Sequence, residues 1–344
     1  MEREEEIFAR KLHAALTREL VLPDQPDEVQ VSVTGGGVHW ECIATRGRRS
    51  CKVHCFADKW GPEYDLRFKD NRDDDDVAAH GRTRETPSVI AAVRDWISEL
   101  SVAEMHQRYA FVDRIERAFR SIIGETARLR PELLSTTSQE LRNRYGECRD
   151  LWFLAQDRAC HLYFYHGEAS PRAEFEWDEC PIFQFTASDI PMLAAVLARW
   201  LCERVLPSAI AAEFPSIEMS DVARYYEEGR PIEGEFIVSW KCIDRLYRED
   251  FPQLEQVPEF LHQLRAAGFD KTLRAGQSMT TLIVSRSRRH GMRSGQPSIA
   301  FRFGQCGMTV VARLGILEKF SVDRVELTAR IHGLLKRLEA MSID

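Results

Sequence analysis

The side chains best equipped for chemistry in this chain are arginines. Ser285-Arg286-Ser287-Arg288-Arg289-His290-Gly291-Met292-Arg293 sets four guanidinium groups and one imidazole within nine residues. The surrounding stretch, Lys271 to Leu317, holds eight Lys or Arg and no Asp or Glu, although the whole chain has a formal net charge of -7. A charge reversal of that kind inside an acidic protein marks an anion-binding surface. Arginine offers a planar, permanently charged fork that matches phosphate oxygens bidentately. Ser285, Ser287 and Ser294 add hydroxyl donors, and His290 can stack on a base or contact phosphate. The only aromatic residues in the stretch are Phe301 and Phe303, so the pattern favours backbone or shape recognition over base stacking. The expected anion- and nucleic-acid-binding residues are Arg286, Arg288, Arg289, His290 and Arg293, supported by Lys271.

Other constellations are weaker. Cys42, Cys51, His54 and Cys55, with His39 nearby, carry metal-ligand chemistry. Neighbours in a strand point to opposite faces, so Cys51 and Cys55 share a face while His54 turns away. A tetrahedral zinc site needs four converging ligands. Core packing of free thiols is the better reading, and no metal or cofactor is expected. Cys160-His161 fails as a nucleophile and base for the same reason. No GxSxG, P-loop or HExxH occurs, and no Asp-x-Lys or Glu-x-Lys pair that could serve a metal-dependent nuclease.

The elements that must position these residues read as α+β. Phe8, Leu12, Ala15, Leu16 and Leu20 fall on one helical face. Val29, Val31 and Val33 alternate, and VHWECIAT, SCKVHCFA and EYDLRF read as three further strands. Thr86-Pro87 opens a helix with Thr86 as its cap, and Val89, Ile90, Val93, Trp96, Ile97 and Leu100 form its apolar stripe. Ser101-x-x-Glu104 is a capping box.

This unit recurs. Arg49 to Phe56 aligns with Arg158 to Tyr165, and Tyr64 to Phe68 with Ala173 to Trp177, at an offset of 109. Asp95 to Glu99 then aligns with Arg199 to Glu203 at an offset of 104. The missing five residues fall where the first copy has its acidic loop, Asp70 and Asp73 to Asp76, and indels belong in loops. The pattern predicts two related antiparallel sheet-plus-helix units from an internal duplication, followed by a C-terminal α+β domain. The expected boundaries are 1–130, 131–230 and 231–344, with a turn-rich linker at EEGRPIEGE, Glu227 to Glu235. In the last domain, TLIV and SIAFRF flank the arginines as a long hairpin, MTVVARLGI is a third strand, and DRVELTARIHGLLKRLEAM a final helix.

Six tryptophans sit in apolar-periodic contexts and read as core, while Trp60 sits at a turn beside acid, a context that suits a protein interface. The start, MEREEEIFARKLHAAL, lacks the basic-then-apolar pattern of a secretory signal, and no run reaches membrane-spanning length. The nine scattered cysteines then imply reduced thiols and a cytoplasmic setting, with no membrane partner. The leading functional expectation is a non-catalytic binding or adaptor protein. Its hairpin engages a polyanion, nucleic acid first, and its N-terminal units bind protein. The alternatives are a protein–protein scaffold without nucleic-acid binding and an enzyme of unrecognised type.

Overall fold

The computed structural model describes residues 4–21, 28–36, 39–58, 61–71, 76–142, 148–165, 168–288, 295–304 and 307–343. The fold is α+β, with three antiparallel sheets that run in sequence order and have helices before and after them.

Helix α1 (Glu4–Leu20) buries Ala9, Leu12, Leu16 and Leu20. The first sheet follows: β1 (Gln30–Gly36), β2 (His39–Arg46), β3 (Arg49–Asp58), β4 (Gly61–Lys69) and β5 (Ala79–Thr83). Alternation sends Cys42, Ala44, Cys51, Val53, Cys55, Tyr64, Leu66 and Phe68 into one core with α1 and α2 (Thr86–Ile97). Four strands were legible in the sequence, and β5 was not. Its inward residues are only Ala79 and Gly81, too small to read as an apolar alternation. Gly81 is required by packing, because a Cβ there would lie 2.9 Å from the Phe111 ring. Thr86 is not the cap of α2. Glu85 is, and the Thr86 hydroxyl instead pairs with Tyr64 Oη at 2.9 Å. The capping box is present at the start of α3 (Val102–Arg108).

Asp113, with φ 48°, turns the chain into α4 (Arg114–Leu129). The second meander is β6 (Thr137–Arg142), β7 (Cys148–Ala155), β8 (Arg158–Tyr163), β9 (Arg172–Trp177) and β10 (Cys180–Thr186). Helix α5 (Ile190–Leu197) then continues into a π turn, Ala198–Cys202.

The two meanders are closed by the same fastener. Trp96 Nε1 donates to Ser50 O at 3.0 Å, and Trp200 Nε1 donates to Ala159 O at 3.1 Å. Arg49 lies 4.3 Å from the Trp96 ring centroid, and Arg158 lies 4.0 Å from that of Trp200. Each guanidinium also donates to its tryptophan's own carbonyl, at 3.0 and 3.2 Å. Every member of one set aligns with its counterpart at the sequence offsets of 109 and 104. Arg158 is the more enclosed, with the Trp177 ring also at 4.4 Å and nearly perpendicular to that of Trp200. Burial pushes its pKa down to about 10, which leaves it charged at neutral pH.

By compactness, Met1–Cys180 and Gln184–Arg204 form one unit, which holds most of both meanders. The other unit is Pro181–Phe183 with Val205–Asp344. It contains α6 (Pro207–Glu213), the two-residue β11 (Glu218–Met219), α7 (Ala223–Glu227), α8 (Pro231–Glu249) and α9 (Val257–Ala266). The expected linker is therefore shorter than the sequence suggested. Pro231 starts α8, since proline is tolerated at a first helical position that needs no N–H. The third meander is β12 (Arg274–Ser278), β13 (Thr281–Ser285), β14 (Ser298–Phe303), β15 (Met308–Leu314) and β16 (Ile316–Val322). MTVVARLGI is not one strand. Gly315, at φ 88°, makes the turn from β15 into β16. Helix α10 (Ala329–Glu339) is capped by Thr328, so the final helix begins later than its charged lead-in implied. Trp240, Phe260, Phe269, Phe301 and Leu335 anchor this unit's core.

Trp96, Trp200 and Trp240 are fully buried, while Trp40, Trp152 and Trp177 are half-buried. Trp60 lies outside the described residues. Among the described residues, eight cysteines are free thiols and no His, Cys, Asp and Glu cluster could hold a metal. Among those residues, no helix is long and apolar enough to cross a membrane.

Candidate anion-binding site

The basic stretch folds as a hairpin whose arms are the two runs read from the sequence. Leu282 pairs with Phe301 and Val284 with Ile299 in antiparallel register. Arg289, His290 and Arg293 lie outside the described residues. Lys271 is exposed at the end of a short 3-10 turn ahead of β12.

Arg286 and Arg288 are not exposed tip residues. Ser285 and Ser287 are buried, and the intervening arginines fold back against their own unit. Arg288 donates through Nε to Glu235 Oε1 at 3.0 Å and through Nη2 to Tyr226 Oη at 3.2 Å. Tyr226 Oη donates to the same Glu235 oxygen at 2.5 Å. Side-chain exposure is 19% for Arg288 and 6% for Glu235, so this pair is nearly dry. Burial alone would lower the Arg288 pKa, but Glu235 and Tyr226 outweigh it and hold it above the ordinary arginine value. Arg274 donates through Nη1 to the Arg288 carbonyl. Arg286 Nη1 donates to Thr272 O at 3.1 Å, and Thr272 Oγ1 in turn donates to Glu339 at 2.7 Å. The reason lies in Glu235. A carboxylate buried in α8 needs a cation, and Arg288 is the one the hairpin delivers. These two arginines fasten the hairpin to α8 and to the segment before β12.

The outward face of the third sheet holds residues that the hairpin reading passed over. Across β13 to β16 the core-facing rows contain Leu282, Phe301, Val310 and Phe320, with Val284, Ile299 and Ala312 beside them. The opposite face carries three rows: Ser285, Ser298, Arg313, Leu317, in which the two serines are buried; Ile283, Ala300, Val311, Lys319; and Thr281, Arg302, Thr309, Ser321. Arg302, Arg313 and Lys319 are exposed. None of the three rows contains a carboxylate. The one acid of β16, Glu318, takes the opposite parity and pairs with Arg337 of α10 at 2.7 Å. Among the described residues, no carboxylate lies within ion-pair distance of Arg302, Arg313 or Lys319. Strand geometry separates Arg302 and Arg313 by about 14 Å and Arg313 and Lys319 by about 8 Å. Between them lies a half-buried strip of Ile283, Ala300 and Val311. The signal was readable: in Phe301-Arg302-Phe303 and Ala312-Arg313-Leu314, period-two alternation puts each arginine on the face opposite its apolar neighbours.

The first sheet's outward face differs. There Glu41 pairs with Lys52 and His54, both at 3.0 Å, and Glu63 with Arg82 at 2.9 Å. On the second sheet's outward face, Trp152 stacks on His161 at 4.2 Å and 5°, His161 meets Tyr163 at 4.7 Å, and Tyr163 meets Tyr165 at 5.2 Å. Asp150 holds His161 Nε2 at 2.9 Å, and Glu174 is paired with His161 across the strands. Comparison with known proteins returned no matching family, no matching curated protein and no matching solved structure.

Proposed function

We propose that this is a non-catalytic binding protein that engages a polyanion, nucleic acid first, through the C-terminal sheet. One observation carries the reading: Arg302, Arg313 and Lys319 stand on an outward sheet face with no carboxylate among the described residues of its rows. Unneutralised cations on a regular lattice suit a repeating anion, because each phosphate contact releases condensed counterions. The aliphatic strip between them offers no rings for stacking, which favours backbone contact over base reading. In this proposal Arg289, His290, Arg293 and Lys271 add further charge. Arg286 and Arg288 act indirectly, by holding the hairpin in place.

The test is a gel-shift titration with short duplex DNA and RNA across a salt series. Three phosphate contacts give a log–log slope near -2.7, so affinity falls about 40-fold between 50 and 200 mM salt. The triple variant Arg302→Glu, Arg313→Glu, Lys319→Glu should lose binding with little change in melting temperature, since exposed charge contributes little to stability. Binding that survives the triple variant places the ligand elsewhere.

A second reading, a protein-binding scaffold without nucleic-acid binding, draws on the ring ladder from Trp152 to Tyr165. Tyr165 is half exposed at its end, and carboxylates flank it. Exposed aromatic rings of this kind are enriched in protein interfaces. No retardation of DNA or RNA at low salt by the unmodified protein selects this alternative.

A further inference from the structure

The first unit contains a half-open cleft of about 470 Å³, which shares only Tyr165 with the ring ladder of the second reading and nothing with the polyanion face. That volume falls within the range of small-molecule sites. One part of its lining is apolar: Phe111, Ile115, Phe164 and Tyr165. Another is cationic: Arg82, Arg84, Arg114 and Arg149.

Three carboxylates also reach the cleft, and each is already engaged. Glu63 accepts from Arg82 at 2.9 Å and has Arg84 at 4.0 Å. Asp113 accepts from the His80 amide at 2.7 Å and meets His106 Nε2 at 2.7 Å. Glu116 accepts from Arg142 at 2.9 Å and pairs with Arg120. Arg120, Arg142 and His106 stand behind the lining, so the carboxylates of Asp113 and Glu116 are answered from outside the cleft. Glu63 is answered within the cleft by Arg82 and Arg84, and the lining as a whole carries four arginines against three carboxylates, an excess of one positive charge. Arg114 is set for recognition, because its guanidinium lies 5.3 Å from the Phe164 ring centroid and donates to Glu168 O at 3.0 Å. A guanidinium has five N–H donors in a fixed fork, so one backbone contact orients it and leaves further donors for a ligand.

We propose that this cleft binds a small aromatic anion, with a planar ring against Phe111, Phe164 and Tyr165 and a carboxylate or phosphate on Arg82, Arg84 and Arg114. The volume suits one ring system and not a polymer. Binding, not covalent chemistry, is its role. The cleft's one thiol, Cys148, is buried, and burial pushes its pKa up to about 11, away from the reactive thiolate.

The experiment is isothermal titration of the full chain with phenyl phosphate, benzoate, inorganic phosphate and benzylamine. The expected result is binding of at least one aromatic anion with a dissociation constant below about 1 mM, and about tenfold weaker binding of inorganic phosphate. Phenyl phosphate and benzoate then separate the two headgroups. Benzylamine, with the ring but the opposite charge, should not bind. Arg114→Ala should weaken binding about tenfold, the scale of one charge-assisted contact. Arg149→Ala, at an exposed position, tests the same field if the first variant loses structure. Arg313→Ala, on the third sheet, should leave binding unchanged. No binding of either aromatic anion at 10 mM, equal binding of benzylamine, or indifference to both Arg114→Ala and Arg149→Ala overturns the proposal. The site is independent of the polyanion face: the triple glutamate variant of the third sheet should bind the aromatic anion normally.

Discussion

Arg288→Ala separates a structural arginine from a ligand-binding one. The side chain makes a two-point contact with Glu235 and a third with Tyr226, all at 3.0 to 3.2 Å. Removing it leaves Glu235 in α8 at 6% exposure with only the Tyr226 hydroxyl as partner. Stranding one charge of a buried pair costs about 3–5 kcal/mol. The surviving 2.5 Å hydrogen bond offsets part of this, so the expected loss is about 3 kcal/mol. With a urea m-value of about 2 kcal/mol/M, the midpoint of the second unit should fall by about 1.5 M. Trp240, whose indole donates to Leu273 O at 2.7 Å, is the only tryptophan of that unit, so quenching or spectral change assigned to it reports the unit's core. Replacing both partners, Arg288→Met with Glu235→Leu, should recover most of the loss, because the buried charge is gone as well. A midpoint shift below about 0.3 M for Arg288→Ala would refute the reasoning, and would leave that guanidinium available to an anion.

Three further outcomes follow from other contacts. Arg158→Ala should destabilise the first unit more than Arg49→Ala does. Arg158 contacts two rings and is buried, whereas Arg49 contacts one ring and is 21% exposed; urea unfolding of the two variants checks the order. Burial disfavours the Asp95 carboxylate, but Tyr109, Arg108 and Arg94 outweigh it and hold its pKa below 3.8. A depressed folded value stabilises above the unfolded pKa and is lost as pH falls through the folded one. Wild type should therefore exceed Asp95→Asn by about 1–2 kcal/mol at pH 6, with the gap closing below about pH 4 in parallel melts. In native protein, a thiol reagent should label exposed Cys242 quickly and Cys51 and Cys160 only after denaturation, since burial pushes both buried thiols up; mass mapping of the labelled peptides reads this.

The elements legible in the sequence were those whose pattern is local. Alternation in SCKVHCFA and EYDLRF gave β3 and β4, and the Arg49/Arg158 and Trp96/Trp200 alignment found residues that prove to make the same contacts. Strand β5 escaped because its inward side chains are small. The inward turn of Arg288 depends on Glu235, a partner 53 residues away that the sequence placed in a linker. The outward face of the third sheet was within reach of the sequence through the alternation that exposes Arg302 and Arg313, but those two arginines stand singly among apolar neighbours, whereas the hairpin tip carries four in eight residues. The cleft was beyond reach, because its lining comes from separate segments around Glu63, Arg82, Arg114, Cys148 and Phe164.

The repeated arginine–tryptophan fastener also has a kinetic side. Two helices of one chain carry a tryptophan keyed to an arginine and to the carbonyl one residue beyond it, so during folding each helix meets two sheets that offer the matching lock. Misdocking is the hazard of tandem units with shared contacts. The π turn at Ala198–Cys202 breaks the degeneracy. Its extra residue per turn moves everything after Trp200 out of step with the helix that carries Trp96. Accordingly the left-handed residue that ends the helix is Glu99 beside the first sheet, three positions past its tryptophan, and Arg204 beside the second, four past. Arg204 there reaches Asp157, beside Arg158, a contact that the first sheet's helix cannot reproduce on the second sheet because it ends in Glu99. A single-residue phase difference thus works as a proofreading key, and deleting one residue within 198–202 should add a slow refolding phase that the parent chain lacks.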